Sequence, residues 1–320
     1  MTRVAAFDCG TNSLRLLVAD IADSRIEELA RETSIVRLGQ GVDATGEFAP
    51  EALERTFAVC EEYAEIVDRL APDSRRFVAT SASRDAGNRD AFFAGVRERL
   101  GVEAEVITGR EEAELSYLGA VSGASDDTTE APYLVMDLGG GSTELVLGTD
   151  TVEQAFSMDI GSVRLTERHI RTDPPTESEI AAAVRDIDAA FDEAAGVVDV
   201  ARARTLVGVA GTITTITAAA LDLPAYDRAA IHGAELTADT VAATARRLVE
   251  MTRDERIALP FMHPGRADVM GAGALIYARL VERIGERVAQ AGGSLRILTS
   301  ETDILDGIAL GQARPAGATG

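Results

Sequence analysis

The sequence predicts an α/β protein made of two related domains, and two observations lead to this fold class. The chain has 320 residues, which is a usual length for two domains. A pattern of apolar strand, Asp, Gly, Ser and second strand occurs twice, in Val4–Val18 and in Tyr133–Gly148. Each shared residue of the second copy lies 129 positions after its counterpart, as Asp137 does after Asp8. The repeat indicates a duplicated domain, with one hairpin from each half facing a shared cleft.

The first half continues as alternating strands and helices. The segment Leu38–Phe48 is rich in Gly and Asp and is predicted to be a loop. Helical periodicity covers Pro50–Leu70 and Asn88–Leu100. The predicted strands of this half are Arg3–Asp8, Leu14–Ile21, Arg25–Val36, Arg75–Thr80 and Glu103–Thr108.

The second half repeats this order after a segment of loop composition, Ser122–Pro132. We expect one domain at residues 1–125, a second at 126–299, and a last helix with a disordered tail at 300–320. The predicted strands are Tyr133–Asp137, Thr143–Leu147, Glu153–Ile160, Arg204–Ala210 and Ser294–Thr299. The predicted helices are Thr176–Ala195, Thr237–Met251, Met270–Arg287 and Ser300–Leu310.

Composition excludes several classes of function. The net charge is −22, and all 31 basic residues are Arg. A chain without Lys has no P-loop lysine and no Schiff-base chemistry. A surface this acidic is not expected to bind nucleic acid or an anionic membrane, and it favours short or small substrates over long polyanions. Any phosphate site must therefore be locally cationic.

The cysteines and the apolar stretches indicate a cytoplasmic protein. Cys9 and Cys60 have no metal-binding spacing, and Cys60 lies on the apolar face of a predicted helix, so we expect buried, reduced thiols. Because the sequence opens on a predicted strand, we expect no signal peptide. Its longest uncharged stretch, Thr205–Leu221, is interrupted by Gly and Thr and is not predicted to span a membrane.

The two hairpin turns have the composition of phosphate-binding loops. Glycine permits a tight turn in which backbone N–H groups converge on an anion, and the serine hydroxyls can assist. The predicted donors are Asn12 and Ser13 in the first turn and Gly139, Gly140, Gly141 and Ser142 in the second.

Carboxylates flank the second turn. Asp137 ends one strand and Glu144 begins the next, which is the arrangement Mg²⁺ prefers: one or two carboxylates, with water and phosphate oxygens completing the shell. We therefore predict a Mg²⁺ site, with Mn²⁺ as a possible substitute, at Asp137, Glu144 and, through water, Asp8.

A third anion site is predicted at a turn of small residues. The segment Val207–Thr215 feeds a helix, and a helix N-terminus binds anions through its free N–H groups, here at Gly211 and Thr212. The alternative is a packing turn between strand and helix without a ligand.

Several arginines are candidates for charge neutralisation. Arg84, expected to be exposed at a strand end, can bind phosphate bidentately. Arg266 is a further phosphate candidate, with an ion pair to Asp268 as the alternative. Arg15 and Arg164 are similarly ambiguous.

Together these segments resemble the exopolyphosphatase / guanosine pentaphosphate phosphohydrolase (Ppx/GppA) family, over nearly the whole chain. The resemblance implies two ribonuclease H-like domains, similar to actin, Hsp70 and sugar kinases, with the active site in the interdomain cleft. It also implies a last helix that crosses back to the first domain, and often a homodimer. The segments that carry it are FDCGTNSLRLLV, ATSASRDAGN, ITGREEAEL, VMDLGGGSTELV, DIGSVRLTE, GVAGTITT, HPGRADVMGAGALI and SETDILDGI.

The resemblance further implies an essential glutamate that acts as a base in ITGREEAEL. Thr108 and Glu111 fit a capping box, which occupies Glu111 and leaves the catalytic role to Glu112. The helix terminus is expected to lower the pKa of Glu112, and nearby carboxylates are expected to raise it.

The leading functional hypothesis is a Mg²⁺-dependent exopolyphosphatase that releases orthophosphate from inorganic polyphosphate. The nearest alternative is hydrolysis of guanosine pentaphosphate (pppGpp) to the tetraphosphate. An ATP-dependent kinase on the same fold is disfavoured because no sugar-binding motif is recognisable. A sensor that binds polyphosphate or alarmones without hydrolysing them is disfavoured, because the acidic residues Glu112, Asp137 and Glu144 are present.

Overall fold

A computed structural model describes residues 1–23, 25–124 and 129–313. The chain divides into two compact units: Met1–Gly119 with the C-terminal segment that begins at Asp303, and Ala120–Thr302. The boundary predicted between residues 125 and 126, and the tail predicted at the C-terminus, lie outside the described residues.

The first unit contains, in its described residues, a five-stranded sheet of order β3-β2-β1-β4-β5. Strands β1 to β3 are antiparallel, and β4 and β5 run parallel to β1. This order confirms the predicted ribonuclease H-like α/β class. The strands are Thr2–Cys9 (β1), Ser13–Ala22 (β2), Arg25–Ile35 (β3), Ser74–Ala79 (β4) and Ala104–Val106 (β5).

Both faces of the central strand β1 are buried. Because successive side chains of a strand point to opposite faces, β1 gives Phe7 and Cys9 to one apolar cluster and Val4 and Ala6 to another. Cys60 is buried beside Phe7 and Cys9, and both cysteines are free thiols, as predicted. The helices are Val42–Thr45 (α1), Pro50–Leu70 (α2), Ser81–Asp85 (α3), Arg89–Leu100 (α4) and Gly109–Ala124 (α5).

Two local predictions in this unit are wrong. The segment predicted as a loop contains the single turn α1, bounded by Gly41 and Gly46 at φ of 78° and 69°. These left-handed angles suit glycine and let the chain start and stop one helical turn. Arg84 does not sit exposed at the end of a strand, because the chain forms α3 directly after β4 and places Arg84 in its last turn.

The second unit repeats the arrangement of the first. Its sheet has the order β10-β11-β9-β6-β7-β8 within the described residues. Strands β6, β7 and β8 pair antiparallel in chain order. Strand β9 runs parallel to β6, as β4 runs parallel to β1. The strands are Tyr133–Leu138 (β6), Thr143–Gly148 (β7), Val152–Met158 (β8), Thr205–Val209 (β9), Glu235–Leu236 (β10) and Arg296–Thr299 (β11).

Helices cover the apolar side of this second sheet, with Phe191 and Tyr277 fully buried among them. The capping box predicted at Thr176 and Glu179 is present in both directions. None of the described helices combines the length and the apolar character needed to cross a membrane. The helices are Ser162–His169 (α6), Glu177–Ala195 (α7), Ala210–Ala220 (α8), Arg228–Ile231 (α9), Ala238–Glu250 (α10), Arg253–Ile257 (α11) and Met270–Gln290 (α12).

The last helix, Ile304–Ala313 (α13), belongs to the first unit and packs on its sheet through Leu305 and Ile308. It starts four residues later than the predicted Ser300, because Asp303 caps it. The Asp303 carboxylate accepts from the N–H of Leu305 at 3.0 Å, and the N–H of Asp303 donates to the carboxylate of Asp306 at 3.1 Å. A reciprocal cap of this kind fixes the start of a helix.

Candidate active site

Glu111 and Glu112 are neighbours in the first turn of α5 and have different environments. Thr108 Oγ1 accepts from the N–H of Glu111 at 3.2 Å, which is half of the predicted capping box. The second half does not form in the described chain, and the Glu111 carboxylate instead accepts from Arg76 Nη2 at 2.8 Å. The Glu111 side chain is 43% exposed, whereas the Glu112 side chain is 10% exposed. Burial therefore singles out Glu112.

The buried Glu112 carboxylate is held by Arg84. Arg84 Nη1 donates to Glu112 Oε2 at 2.7 Å and to the carbonyl oxygen of Ile107 at 3.2 Å. Burial raises the pKa of Glu112, the Arg84 charge opposes that rise, and the charge of Asp8 adds to it. The net direction is upward, so burial makes this carboxylate a stronger base than its helix terminus alone would allow.

Arg84 is partly buried, with 24% of its side chain exposed. The prediction of an exposed Arg84 is therefore wrong. Both of its hydrogen bonds come from Nη1. Its Nε and Nη2 groups make no hydrogen bond to any residue that the structure describes. One guanidinium can therefore orient the buried carboxylate and still offer donors to an anion.

The first hairpin turn is closed by a hydrogen bond from the N–H of Gly10 to the carbonyl of Ser13, at 3.0 Å. The carbonyls of Thr11 and Asn12 accept bonds from the loop at residues 36–39. The N–H groups of Thr11 and Asn12 have no acceptor among residues 1–23, 25–124 and 129–313. The turn thus directs its carbonyls to the protein and leaves these two amide donors available.

The second turn has the equivalent closing bond, from the N–H of Gly139 to the carbonyl of Ser142, also at 3.0 Å. The N–H of Gly139 is therefore used inside the turn, and phosphate binding at Gly139 stays a prediction. The N–H groups of Gly140 and Gly141 find no acceptor in the described part of the chain. They, with Ser142, are the donors that the turn offers.

The start of α6 fixes the second turn. The N–H groups of Val163 and Arg164 donate to the carbonyl of Gly140 at 2.9 and 3.1 Å. A Cβ atom on Gly161 would lie 2.4 Å from that carbonyl oxygen, so only glycine permits this backbone approach. Arg164 thus has a backbone role in orienting the loop.

Asp137 and Glu144 lie directly opposite each other on β6 and β7, and they are 7% and 1% exposed. Directly opposed residues of antiparallel strands share one face of the sheet, so the two carboxylates are neighbours. Ser157, opposite Glu144 on β8, donates its hydroxyl to Glu144 Oε1 at 2.7 Å. Within the described residues no cluster of three or more His, Cys, Asp or Glu groups forms a metal site. Two buried carboxylates fit Mg²⁺, which takes its remaining ligands from water and phosphate.

Asp8 occupies the equivalent place in the first hairpin, but its partner is a cation. Arg15 lies opposite Asp8, and its Nε and Nη2 atoms donate to Asp8 Oδ2 at 2.8 and 2.6 Å. Nη1 of Arg15 donates to Asp303 Oδ2 at the start of α13. Arg15 therefore bridges two buried carboxylates. The water-mediated metal role of Asp8 stays a prediction.

The third predicted anion site lies where β9 passes into α8. Ala210 has a φ of 73°, which marks a tight entry into the helix. A Cβ atom on Gly211 would lie 2.4 Å from Cζ and Nη2 of Arg266, so this guanidinium lies against the Gly211 backbone. Thr212 is buried in the same turn. A cation beside the positive end of a helix favours a bound anion between the two.

Sequence reasoning missed a charged cluster that joins strands β2 and β3 to the start of α13. Arg31 on β3 donates to the Asp306 carboxylate, and Arg15 donates to Asp303 three residues earlier. All four residues have less than one fifth of their side chains exposed. The segment SETDILDGI contains both carboxylates, but their partners lie 275 and 288 residues away, so no local pattern signals the pairing.

The chain matches one family of known proteins. The profile of the Ppx/GppA phosphatase family matches residues 17–296. Exopolyphosphatase 2 of Mycobacterium tuberculosis (strain ATCC 25618 / H37Rv) is 50% identical over 322 residues, covering 98% of this chain and 99% of that protein. A crystal structure of an exopolyphosphatase-like protein has 46% identity and a TM-score of 0.94, with 97% of each chain covered.

A relative that is named for a different activity also matches. A guanosine-5'-triphosphate,3'-diphosphate pyrophosphatase of Pseudoalteromonas atlantica is 34% identical over 192 residues, which are 60% of this chain and 38% of that protein. The family profile spans most of the chain. The chain therefore belongs to the Ppx/GppA phosphatase family.

Proposed function

We propose that this protein is a Mg²⁺-dependent exopolyphosphatase of the cytoplasm that hydrolyses the terminal phosphoanhydride bond of inorganic polyphosphate and releases orthophosphate. The observation that carries the proposal is the buried Glu112 carboxylate, held by Arg84 at 2.7 Å. The homodimer implied by the family resemblance belongs to the same proposal.

Glu112 is the general base of the proposed reaction. Its carboxylate accepts a proton from the water that attacks the terminal phosphorus atom. Burial raises the pKa of Glu112, and a base of higher proton affinity removes that proton more effectively. Arg84 holds the carboxylate through Nη1, and its remaining N–H groups are suited to a phosphate oxygen.

The other residues bind charge. The amides of Asn12, Gly140 and Gly141 are donors for phosphate oxygens, as are Gly211 and Thr212 at the start of α8. Asp137 and Glu144 would hold Mg²⁺, with Asp8 as a more distant, water-mediated contributor. The metal, when bound, neutralises phosphate charge as it develops during bond cleavage.

Polyphosphate is the preferred substrate in this proposal. The M. tuberculosis relative named exopolyphosphatase 2 matches over almost the whole of both chains at 50% identity. The net charge of −22 favours short polyphosphate over long chains, because a long polyanion meets more repulsive surface. Hydrolysis of pppGpp is the second candidate, supported by the P. atlantica relative at 34% identity.

The test is orthophosphate release from short polyphosphate, long polyphosphate and pppGpp, each with Mg²⁺ and with EDTA. We expect metal-dependent release, fastest from short polyphosphate. Faster release from pppGpp than from every polyphosphate would favour the second candidate. Absence of release from all three substrates, by a folded protein with Mg²⁺, would contradict the proposal.

A further inference from the structure

Helix α5, which carries Glu112, meets the start of α13 backbone against backbone. A Cβ atom on Gly119 of α5 would overlap the carbonyl oxygen of Asp303. A Cβ atom on Gly307 of α13 would overlap the carbonyl oxygen of Leu115. Each helix therefore places a glycine against a carbonyl of the other, and a residue with a side chain does not permit this approach. Contacts between Cα–H groups and carbonyl oxygens recur where helices pack this closely.

The crossing lies on the same face of α5 as the proposed base. Leu115 and Gly119 follow Glu112 by three and seven residues, a spacing that keeps all three on one side of a helix. At a rise of ~1.5 Å per residue, Leu115 lies about 4.5 Å along the helix axis from Glu112. A shift of α5 at the crossing would therefore move Glu112 relative to Arg84, which holds its carboxylate at 2.7 Å.

The start of α13 is also joined to the surroundings of Glu112 through side chains. Asp303, whose carbonyl meets Gly119, accepts a hydrogen bond from Arg15 Nη1. Arg15 also donates to Asp8, from Nε and Nη2 at 2.8 and 2.6 Å. Asp8 lies close enough to Glu112 for its charge to raise the pKa of that carboxyl. The start of α13 thus contacts α5 directly and reaches the base a second time through buried ion pairs.

A second glycine of α13 shows that the close approach is a property of position 307. A Cβ atom on Gly311, one turn further along the helix, would lie 3.9 Å from Leu115 Cδ2, which is ordinary van der Waals contact. Glycine inside a helix costs about 1 kcal/mol relative to alanine. Leu305 and Ile308 already pack α13 on the sheet, so that attachment does not require a glycine at position 307. The requirement comes from α5.

We propose that Gly307 is a positioning residue for the proposed hydrolysis: together with Gly119 it seats α5 on α13 and so sets where the Glu112 carboxylate stands relative to the attacking water. The inference rests on the proposed function, because Gly307 acts through the proposed base. A misplacement of about 1 Å at a reacting group can lower a rate by about 10²-fold, so a methyl group added at the crossing acts on kcat.

The test compares Gly307→Ala with two controls on the same helix, Gly311→Ala and Ile308→Ala. The measurements are Tm, and kcat and KM for short polyphosphate with Mg²⁺ at a temperature below the lowest Tm of the set. We expect Gly307→Ala to lower kcat roughly tenfold or more while KM stays within about twofold of the wild type. Gly311→Ala adds a methyl group without the overlap, and Ile308→Ala lowers Tm by leaving a cavity under α13. Both controls should keep kcat near the wild-type value.

A double-mutant cycle measures whether Gly307 acts through the base. In the Glu112→Gln background, Gly307→Ala should lower the remaining kcat no further, because no base is left to misplace. Equal fold-losses of kcat in the two backgrounds would overturn the inference. An unchanged kcat in the Gly307→Ala single variant, or a loss of kcat matched by Ile308→Ala, would also overturn it.

Gly119→Ala adds a methyl group to the other side of the same contact and should reproduce the loss of kcat, including where Gly307→Ala does not fold. If neither glycine variant folds while both controls do, the crossing serves folding alone and the inference is overturned. A folded wild type that releases no orthophosphate would contradict the proposed function. Normal release by the wild type together with an unchanged Gly307→Ala would contradict this inference alone.

Discussion

The two hairpins of this protein share one backbone turn. The first is closed by the N–H of Gly10 on the carbonyl of Ser13, and the second by the N–H of Gly139 on the carbonyl of Ser142, at 3.0 Å in both. The two donor residues are 129 positions apart, and so are the two acceptor residues, which is the spacing of the sequence repeat. The duplicated element has therefore kept its backbone hydrogen bond as well as its Asp, Gly and Ser residues.

The side chains behind the two turns differ in charge. In the first hairpin Asp8 faces Arg15, and in the second Asp137 faces Glu144. An acid opposite a base is neutral as a pair and needs no further ion. Two buried acids opposite each other repel when both are ionised, which is the arrangement that the proposed Mg²⁺ site would use. The difference teaches that one scaffold can hold an acid–base pair in one copy and two acids, at the proposed Mg²⁺ site, in the other.

The largest expected effect separates the base from its neighbour. Glu112→Gln keeps the size of the buried side chain and removes its proton affinity, so kcat for orthophosphate release should fall by about 10²- to 10⁴-fold. Glu111→Gln is the matched control, since Glu111 pairs with Arg76 at the surface, and it should leave kcat nearly unchanged. Near-native turnover by Glu112→Gln would remove Glu112 from the mechanism.

The ion pair of the first hairpin can be broken directly. Arg15→Met leaves Asp8 and Asp303 buried without their cation, so the free energy of unfolding should fall by about 3–5 kcal/mol, measured by urea denaturation. Arg97→Met breaks the more exposed pair with Glu103 and should cost less than about 1 kcal/mol. Equal losses for the two variants would mean that the Arg15 bridge does not stabilise the hairpin.

A further variant tests how charge near the first hairpin acts on the base. Arg84 lowers the raised pKa of Glu112, so Arg84→Met should raise it further. Glu112 must be ionised to accept a proton, and activity falls as pH drops through its pKa. The acid limb of the kcat/KM profile should therefore move to higher pH in Arg84→Met. A limb that stays in place or moves to lower pH would contradict the assignment of the base.

The smallest effect concerns a second difference between the units. Phe77 lies opposite Phe7 on β4, whereas the equivalent place opposite Met136 on β9 is Gly208. The Tyr277 hydroxyl reaches toward that space, 3.5 Å from where a Gly208 Cβ would be, and has no partner among the described residues.

Tyr277→Phe removes a buried polar group that makes no hydrogen bond. We expect the free energy of unfolding to stay constant or to rise by up to about 1 kcal/mol, measured by urea denaturation. Tyr63→Phe is a suitable control. The Tyr63 hydroxyl donates to the carbonyl of Leu14, so its removal should lower the free energy of unfolding. A loss for Tyr277→Phe as large as that for Tyr63→Phe would show that its hydroxyl is satisfied.

The order of strands and helices and the twin turns could be predicted because they depend on local patterns. Apolar strands, helical periodicity and Gly–Ser turns are each contained in a few residues. The capping box at Thr176 followed from two residues three apart. These features need no knowledge of what packs against them.

The environment of the candidate site could not be predicted in the same way. The bond from Arg84 to Glu112 spans 28 residues, and that from Arg15 to Asp303 spans 288. Such pairs depend on which elements become neighbours in the fold. The late start of α13 has the same origin, because Asp303 has two possible uses, as a helical residue or as a cap, and tertiary packing selects the cap.

Direct metal binding tests the contrast between the hairpins most plainly. Mn²⁺ is a paramagnetic substitute for Mg²⁺, and its binding is measured by electron paramagnetic resonance in the wild type, Glu144→Gln and Asp8→Asn, with Tm as the check on folding. We predict that Glu144→Gln weakens Mn²⁺ binding roughly tenfold or more, and that Asp8→Asn has a clearly smaller effect. The opposite order, with binding lost in Asp8→Asn and kept in Glu144→Gln, would contradict the account.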